Sequence, residues 1–173
     1  LRLELEGFKS FGDKTVIPFG DTFNCILGPN GSGKSNIIDS ICFVLGKMSA
    51  KGMRAEKTAN LIYNGGQNGQ PAQQGRVTIY FDDSDDVFDT DNDELRVSRI
   101  VQQSGSSIYQ MNNEETTRTN IQETLGKAQI SPDGYNIILQ GDISKLVEMS
   151  DNERREIVEE IAGIDIYEDK RKK

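Results

Sequence analysis

The sequence predicts an α/β fold with a mixed sheet, an antiparallel β part and a C-terminal helix, and three observations predict it. Phe23-Asn24-Cys25-Ile26-Leu27 is a short apolar run that leads into Gly28-Pro29-Asn30-Gly31-Ser32-Gly33-Lys34-Ser35; Ile37, Ile38, Ile41, Val44 and Leu45 then recur at helical spacing. Val77-Ile79-Phe81, Leu95-Val97 and Ile108-Tyr109 read as antiparallel strands around an acidic turn. Ser150 and Glu153 have capping-box spacing ahead of a charged helix carrying Ile157, Val158, Ile161 and Ile164.

The remaining elements follow in chain order. Leu1, Leu3 and Leu5 alternate with Arg2, Glu4 and Glu6, the period of a half-buried strand. Gly7-Phe8-Lys9-Ser10-Phe11-Gly12 interrupts it, and Thr15-Val16-Ile17-Pro18-Phe19 resumes extended chain up to a turn at Gly20-Asp21. Gly46 stops the first helix. Residues 65–75 are rich in Gly and Gln and read as an exposed loop. Thr119 to Leu125 predicts a short helix, and Ile137-Ile138-Leu139 a further strand. Residues 1–150 therefore form one domain with acidic and Gln-rich loops at 65–94, and residues 151–173 begin a long helix. That helix reaches Lys170-Arg171-Lys172-Lys173 without a stop signal, as expected of a chain that continues.

Composition sets the function classes. At 173 residues the chain can bury a real core. It holds no apolar run of membrane-spanning length, and its N-terminus lacks signal-peptide character. Cys25 and Cys42 both lie in apolar runs, where reduced core thiols are expected, and the absence of histidine argues against a zinc site. The net charge of −8 comes from Asp82, Asp83, Asp85, Asp86, Asp89, Asp91, Asp93 and Glu94; outside that segment acidic and basic residues balance. Asp89-Thr90-Asp91-Asn92-Asp93 imitates the start of a calcium loop, but Glu94 stands where Gly is needed and Ile100 where Glu is needed. A solvated acidic turn is the expectation.

Gly28-x-x-x-x-Gly33-Lys34-Ser35 carries the clearest chemistry. Backbone N–H groups turn inward on phosphate oxygens only where the chain adopts conformations closed to bulky side chains, hence the three glycines. Asn30, Gly31, Ser32, Gly33, Lys34, Ser35 and Asn36 are accordingly the phosphate-binding candidates. Lys34 supplies charge to the β- and γ-phosphates, the Ser35 hydroxyl ligates Mg²⁺, and the helix opening there adds its N-terminal dipole. The expected ligands are ATP and Mg²⁺. Gln140 follows the strand at 137–139 and suits hydrogen bonding to a magnesium-bound or attacking water, and equally an ordinary surface amide. Arg54 and Lys57 have the charge to meet a γ-phosphate or a nucleic-acid backbone, with solvated surface charge as the simpler reading. Arg96, Arg99 and Arg118 read as surface residues.

Taken together, Gly7-Phe8-Lys9-Ser10-Phe11, the phosphate loop, Val44-Leu45-Gly46, Met53-Arg54-Ala55, Leu61-Ile62-Tyr63 and Ser131 through Ile143 resemble the N-terminal ATPase lobe of SMC (structural maintenance of chromosomes) proteins, in an archaeal style. Glu153-Arg154-Arg155 and Glu159 to Ile164 resemble the segment where that lobe enters its coiled coil. The resemblance implies an ABC-type P-loop lobe that joins a C-terminal lobe and pairs with a second head around ATP, in a homodimer that also takes a kleisin subunit and DNA without sequence preference. It implies catalytic roles for Lys34, Gln140 and Arg54. Gln140 would contact Mg²⁺ and water, and Arg54 would be the arginine finger. Lys57 would face DNA, and Lys9, Ser10 and Tyr63 would lie near adenine and ribose. Chromosome condensation, segregation or cohesion in the cytoplasm, at the nucleoid, is the function so implied. A RecN-like or zinc-hook DNA-repair head, or a non-hydrolysing assembly module, are the alternatives. No aliphatic strand ending in Asp-Glu follows the loop, and no Leu-Ser-Gly-Gly occurs, so these residues are expected to bind ATP without appreciable turnover on their own.

Overall fold

A computed structural model describes residues 1–67, 69–90, 93–131, 137–139, 149–150 and 154–155. The chain divides into two units, Leu1–Pro132 and Asp133–Lys173. The first unit is built on one six-stranded sheet of order β2-β1-β3-β4-β5-β6, with every neighbouring pair antiparallel. The strands are β1 (Arg2–Glu6), β2 (Thr15–Pro18), β3 (Gln74–Asp82), β4 (Glu94–Gln102), β5 (Ser107–Met111) and β6 (Glu114–Thr116). Two helices join them, α1 (Lys34–Val44) and α2 (Arg118–Gly126).

Alternation sets which face of the sheet is dry. Leu3 pairs with Ile79, Leu5 with Val77, Ile79 with Val97 and Phe81 with Leu95, so one face carries a continuous apolar layer. Leu3, Leu5, Val77 and Val97 are fully buried there, together with Phe43 and Val44 of α1. Phe8 and Phe43 pack with ring centroids 5.1 Å apart, which ties the turn after β1 to the helix. On the other face, Arg2 lies 3.6 Å from the Tyr80 ring centroid and pairs with Glu94 at 2.7 Å.

The turn between β1 and β2 is held where the site needs it. Gly7 sits at φ +60, and a Cβ there would stand 2.3 Å from the Gln74 carbonyl oxygen, so only glycine fits. Its carbonyl accepts from the Tyr63 N–H at 2.8 Å, and the Lys9 N–H donates to the Leu61 carbonyl at 2.7 Å. Helix α1 closes in a Schellman arrangement: the Gly46 N–H donates to Phe43 and the Lys47 N–H to Cys42, with Gly46 at φ +100. The expected cap at Gly46 is found in place.

Several expectations are corrected. The described strands form an antiparallel sheet rather than a mixed one, because Phe23–Leu27 joins no ladder. Ile137–Leu139 forms no strand either. Cys42 is buried, but Cys25, on the unpaired stretch, is exposed. The acidic turn is not wholly solvated, since Asp83 is buried and organises it by accepting from the Phe88 N–H at 2.8 Å and the Thr90 hydroxyl at 2.6 Å. Those bonds, led by the one from Thr90, hold its carboxyl below the usual carboxylate range. Of the C-terminal helix, Arg154 and Arg155 are helical and the Arg154 N–H reaches the Ser150 carbonyl at 3.0 Å. Glu153, Ile157, Val158, Ile161 and Ile164 lie outside the described residues.

Candidate nucleotide site

The Gly-rich loop opens α1 without a side-chain cap. Gly33 takes the N-cap position at φ +92, no side chain bonds to the first-turn N–H groups, and no acidic residue occupies that turn. Uncapped N–H groups at the positive end of a helix suit an anion. Gly31, at φ +81, has nothing within 4 Å of where a Cβ would be. The Lys34 ammonium bends back over the loop and donates to the Gly28 and Pro29 carbonyls at 2.6 and 2.7 Å. The first turn thus presents one cation, N–H groups that no side chain caps, and the exposed Ser35 hydroxyl. This donor set fits a polyphosphate with a hard divalent cation.

Two other elements converge on this loop. From the β1–β2 turn, the Ser10 hydroxyl accepts from the Asn36 amide at 2.9 Å and lies 3.0 Å from where a Gly33 Cβ would sit. Lys9 is bound to Asp39 of α1 and donates to the Met53 carbonyl at 2.5 Å. From the short 3-10 turn Lys51–Met53, Arg54 follows in the left-handed conformation, φ 53 and ψ 42. Its Nη2 donates to the Ser35 carbonyl and to the Asp39 carboxylate, both at 2.6 Å. Beside Lys9, an open cavity of about 470 Å³ is lined by Ala59, Asn60, Ile62 and Asn64.

The structure therefore brings Lys9, Ser10, Gly31, Ser32, Gly33, Lys34, Ser35, Asn36 and Arg54 together. Asn30 is exposed at the loop tip. Tyr63 is placed differently, with its ring against Gly12 and its hydroxyl near Gly66 and Gly69, while its neighbours Ile62 and Asn64 line the cavity. Lys57 is exposed at the start of the next 3-10 turn. Gln140 lies outside the described residues.

Sequence reasoning missed three residues. Asp39 is fully buried. Burial is the largest influence on its carboxyl and raises its pKa; Lys9, then Arg54, pull it down without cancelling that effect. It lies about 200° round the helix from Ile37, on what periodicity reads as the polar face, so no pattern exposed it. Arg99, expected at the surface, is 2% exposed. Its Nη1 donates to the Phe43 and Lys47 carbonyls at 3.0 and 2.8 Å, and its guanidinium lies 4.2 Å from the Phe43 ring centroid. Burial lowers its pKa. Arg118 also points at this end of the helix, donating to Gly46 at 2.7 Å. Two arginines thus neutralise the negative end of α1, while its positive end opens on the loop. The available signal was Arg99's place in Leu95, Val97, Arg99, Val101, an inward slot of the alternation.

Comparison with known proteins defines the class. The RecF/RecN/SMC N terminal domain model matches residues 1–154, and the chain belongs to that family. Within it, the chain is 50% identical over 173 residues to the chromosome partition protein Smc of Pyrococcus furiosus and 42% identical to that of Aquifex aeolicus, covering 99% of itself in each case. It spans 15% of the length of those relatives. Among solved structures, the Smc head domain with an extended coiled coil bound to the C-terminal domain of ScpA, from Pyrococcus furiosus, superposes with a TM-score of 0.92 at 50% identity, over 99% of this chain and 43% of that one. A chain from work on ATP-driven dimerization and DNA stimulated activation of SMC ATPases gives 0.86 at 51% identity, over 92% and 97%. No helix among the described residues is long and apolar enough to cross a membrane.

Proposed function

We propose that this chain is the ATP-binding half of an SMC head of ABC type. With a C-terminal lobe and a second head, it binds and hydrolyses ATP to drive head engagement in chromosome partition. One observation carries the reading: an uncapped helix N-terminus bearing Lys34 and Ser35, with Ser10, Lys9 and Arg54 brought to it from two other elements. Residues 1–150 form the lobe and 151–173 begin the neck helix of a coiled coil. Residues Asn30 to Asn36 form the phosphate cradle, Lys34 neutralises the phosphates, and Ser35 with Gln140 would hold Mg²⁺, which would supply charge stabilisation to the transferring phosphoryl group. The cavity beside Lys9 is the proposed place for base and ribose. Ile62 and Asn64 line it, and Tyr63 acts by shaping the Gly-rich loop behind it.

The solved Smc head bound to ScpA supports a kleisin partner, and DNA stimulation of SMC ATPases supports a DNA surface near Arg54 and Lys57. The nucleoid, in the cytoplasm, is the location that follows. Phe23–Leu27, apolar and outside the six-stranded sheet, is where the C-terminal lobe docks. That lobe supplies the catalytic carboxylate, so residues 1–173 alone bind ATP without appreciable turnover. Calorimetric titration of the complete protein with ATP tests the site. Lys34→Ala should abolish measurable binding, because its ammonium is the cation built into the loop; unchanged affinity would overturn the reading.

A further inference from the structure

We propose that Asp39 is the positioning residue for Arg54. Its carboxylate and the Ser35 carbonyl grip one edge of the guanidinium and hold the rest toward the phosphate site. The inference rests on the reading of Arg54 as the finger that couples DNA to hydrolysis.

The geometry carries the argument. Asp39 Oδ2 accepts from Lys9 and from Arg54 Nη2, and Nη2 also reaches the Ser35 carbonyl. A guanidinium has five N–H donors in a rigid fork. Both hydrogens of Nη2 are engaged, while the Arg54 side chain stays 41% exposed; the remaining edge is presented rather than buried. Lys9 and Arg54 both sit at positive φ, 48 and 53, a conformation that costs a residue with a Cβ and persists only where the surroundings impose it. Two strained residues from separate elements converge on one carboxylate. That carboxylate belongs to the helix whose first turn carries Ser35, one helical turn earlier. Movement of the phosphate-binding turn therefore moves the grip on Arg54 directly.

Asp39 Oδ1 is buried with no hydrogen-bond partner. This second oxygen remains an unused acceptor beside the one that holds Lys9 and Arg54.

The test compares Asp39→Asn, Arg54→Ala and the double variant in the complete protein. The Asn variant preserves shape but removes the carboxylate charge that strengthens both bonds, an effect of roughly tenfold in an equilibrium. Three readouts apply: the ratio of DNA-stimulated to basal ATP turnover, ATP affinity by calorimetry, and modification of Arg54 by an arginine-selective dicarbonyl in nucleotide-free protein. Asp39→Asn should cut the stimulation ratio about tenfold and raise Arg54 modification severalfold, with ATP affinity changed far less. The double variant should match Arg54→Ala, because both act through one group. Retention of DNA stimulation by Arg54→Ala would overturn the finger reading itself. Loss in Arg54→Ala with wild-type stimulation and wild-type labelling in Asp39→Asn would overturn the positioning role alone. Additive losses, or an ATP affinity that falls in step with thermal stability, would also overturn it, marking Asp39 as structural.

Discussion

Two apolar stretches of the same kind meet different fates. Val77-Thr78-Ile79-Tyr80-Phe81 lies inside β3, with β1 on one side and β4 on the other, and all but Phe81 of its residues are buried. Phe23-Asn24-Cys25-Ile26-Leu27 is equally strand-like in composition but joins no ladder, and Phe23 and Leu27 are 87% and 85% exposed. Propensity does not separate them; the availability of partners does. β3 finds partners within the first hundred residues. After Phe19, whose N–H makes the last bond of the first hairpin to Leu1, the chain turns away at Gly20, where the Asn24 amide closes a local loop. The unit is finished on the sheet side and open on the nucleotide side.

Two phenylalanines give the largest test of that asymmetry. Phe43 is fully buried between the Phe8 ring and the Arg99 guanidinium, so Phe43→Ala should cost about 3–5 kcal/mol in urea unfolding of residues 1–173. Phe23→Ala in the same chain should stay within about 0.5 kcal/mol. Comparable losses from both would mean that Phe23 is already packed, and the comparison would fail. In the complete protein the Phe23 cost should rise, since the proposed lobe interface buries it.

A smaller effect is expected where the finished half supports the open one. Arg99→Met keeps much of the side chain's length but removes its bonds to Phe43, Lys47 and Ser107. It removes one bond from the Phe43 carbonyl, which keeps the Gly46 N–H, and the bond to the Lys47 carbonyl, at a cost of about 1–3 kcal/mol. Thermal unfolding checks this. A stable Arg99→Met protein would show that the Schellman turn at Gly46 closes the helix by itself.

Legibility from sequence divides along the same line. The alternation of Leu1–Glu6, Val77–Phe81 and Leu95–Val97 gave β1, β3 and β4 because Leu3, Leu5, Val77, Ile79, Leu95 and Val97 recur at every second position on one face. The burial of Thr78, Tyr80, Ser98 and Ile100 on the other face was not part of that pattern. The loop Gly28–Ser35 was legible because its glycines are needed one by one. Phe23–Leu27 was read as a strand, correctly for its composition, but the ladder that would make it one is absent among the described residues. Asp39 and Arg99 were illegible for another reason. Their burial depends on segments far away in sequence, the turns carrying Lys9 and Arg54 for one and the C-terminal end of α1 for the other. A helical wheel does not reveal Asp39, and only the inward slot of its strand marked Arg99.

The two buried carboxylates give the smallest and most discriminating test, because burial raises both but hydrogen bonds outweigh it only at Asp83. Asp83 is satisfied by its own loop, and bonds from Thr90 and Phe88 lower its pKa. Its contribution to stability is therefore present above the unfolded value near 3.8 and is lost as pH falls through the lower folded value. Asp39 joins three elements and burial raises its pKa, so the folded protein holds that proton more tightly than the unfolded chain. Its contribution is present below about 3.8 and is lost as pH rises through the raised folded value. Urea midpoints followed from about pH 3 to about pH 7 should show Asp83→Asn flattening the acid limb and Asp39→Asn flattening the limb above it. If Asp39→Asn instead weakened the protein most at neutral pH, its pairing with Lys9 and Arg54 would outweigh its burial. The open half would then be held by its charges as firmly as the sheet is held by its apolar face.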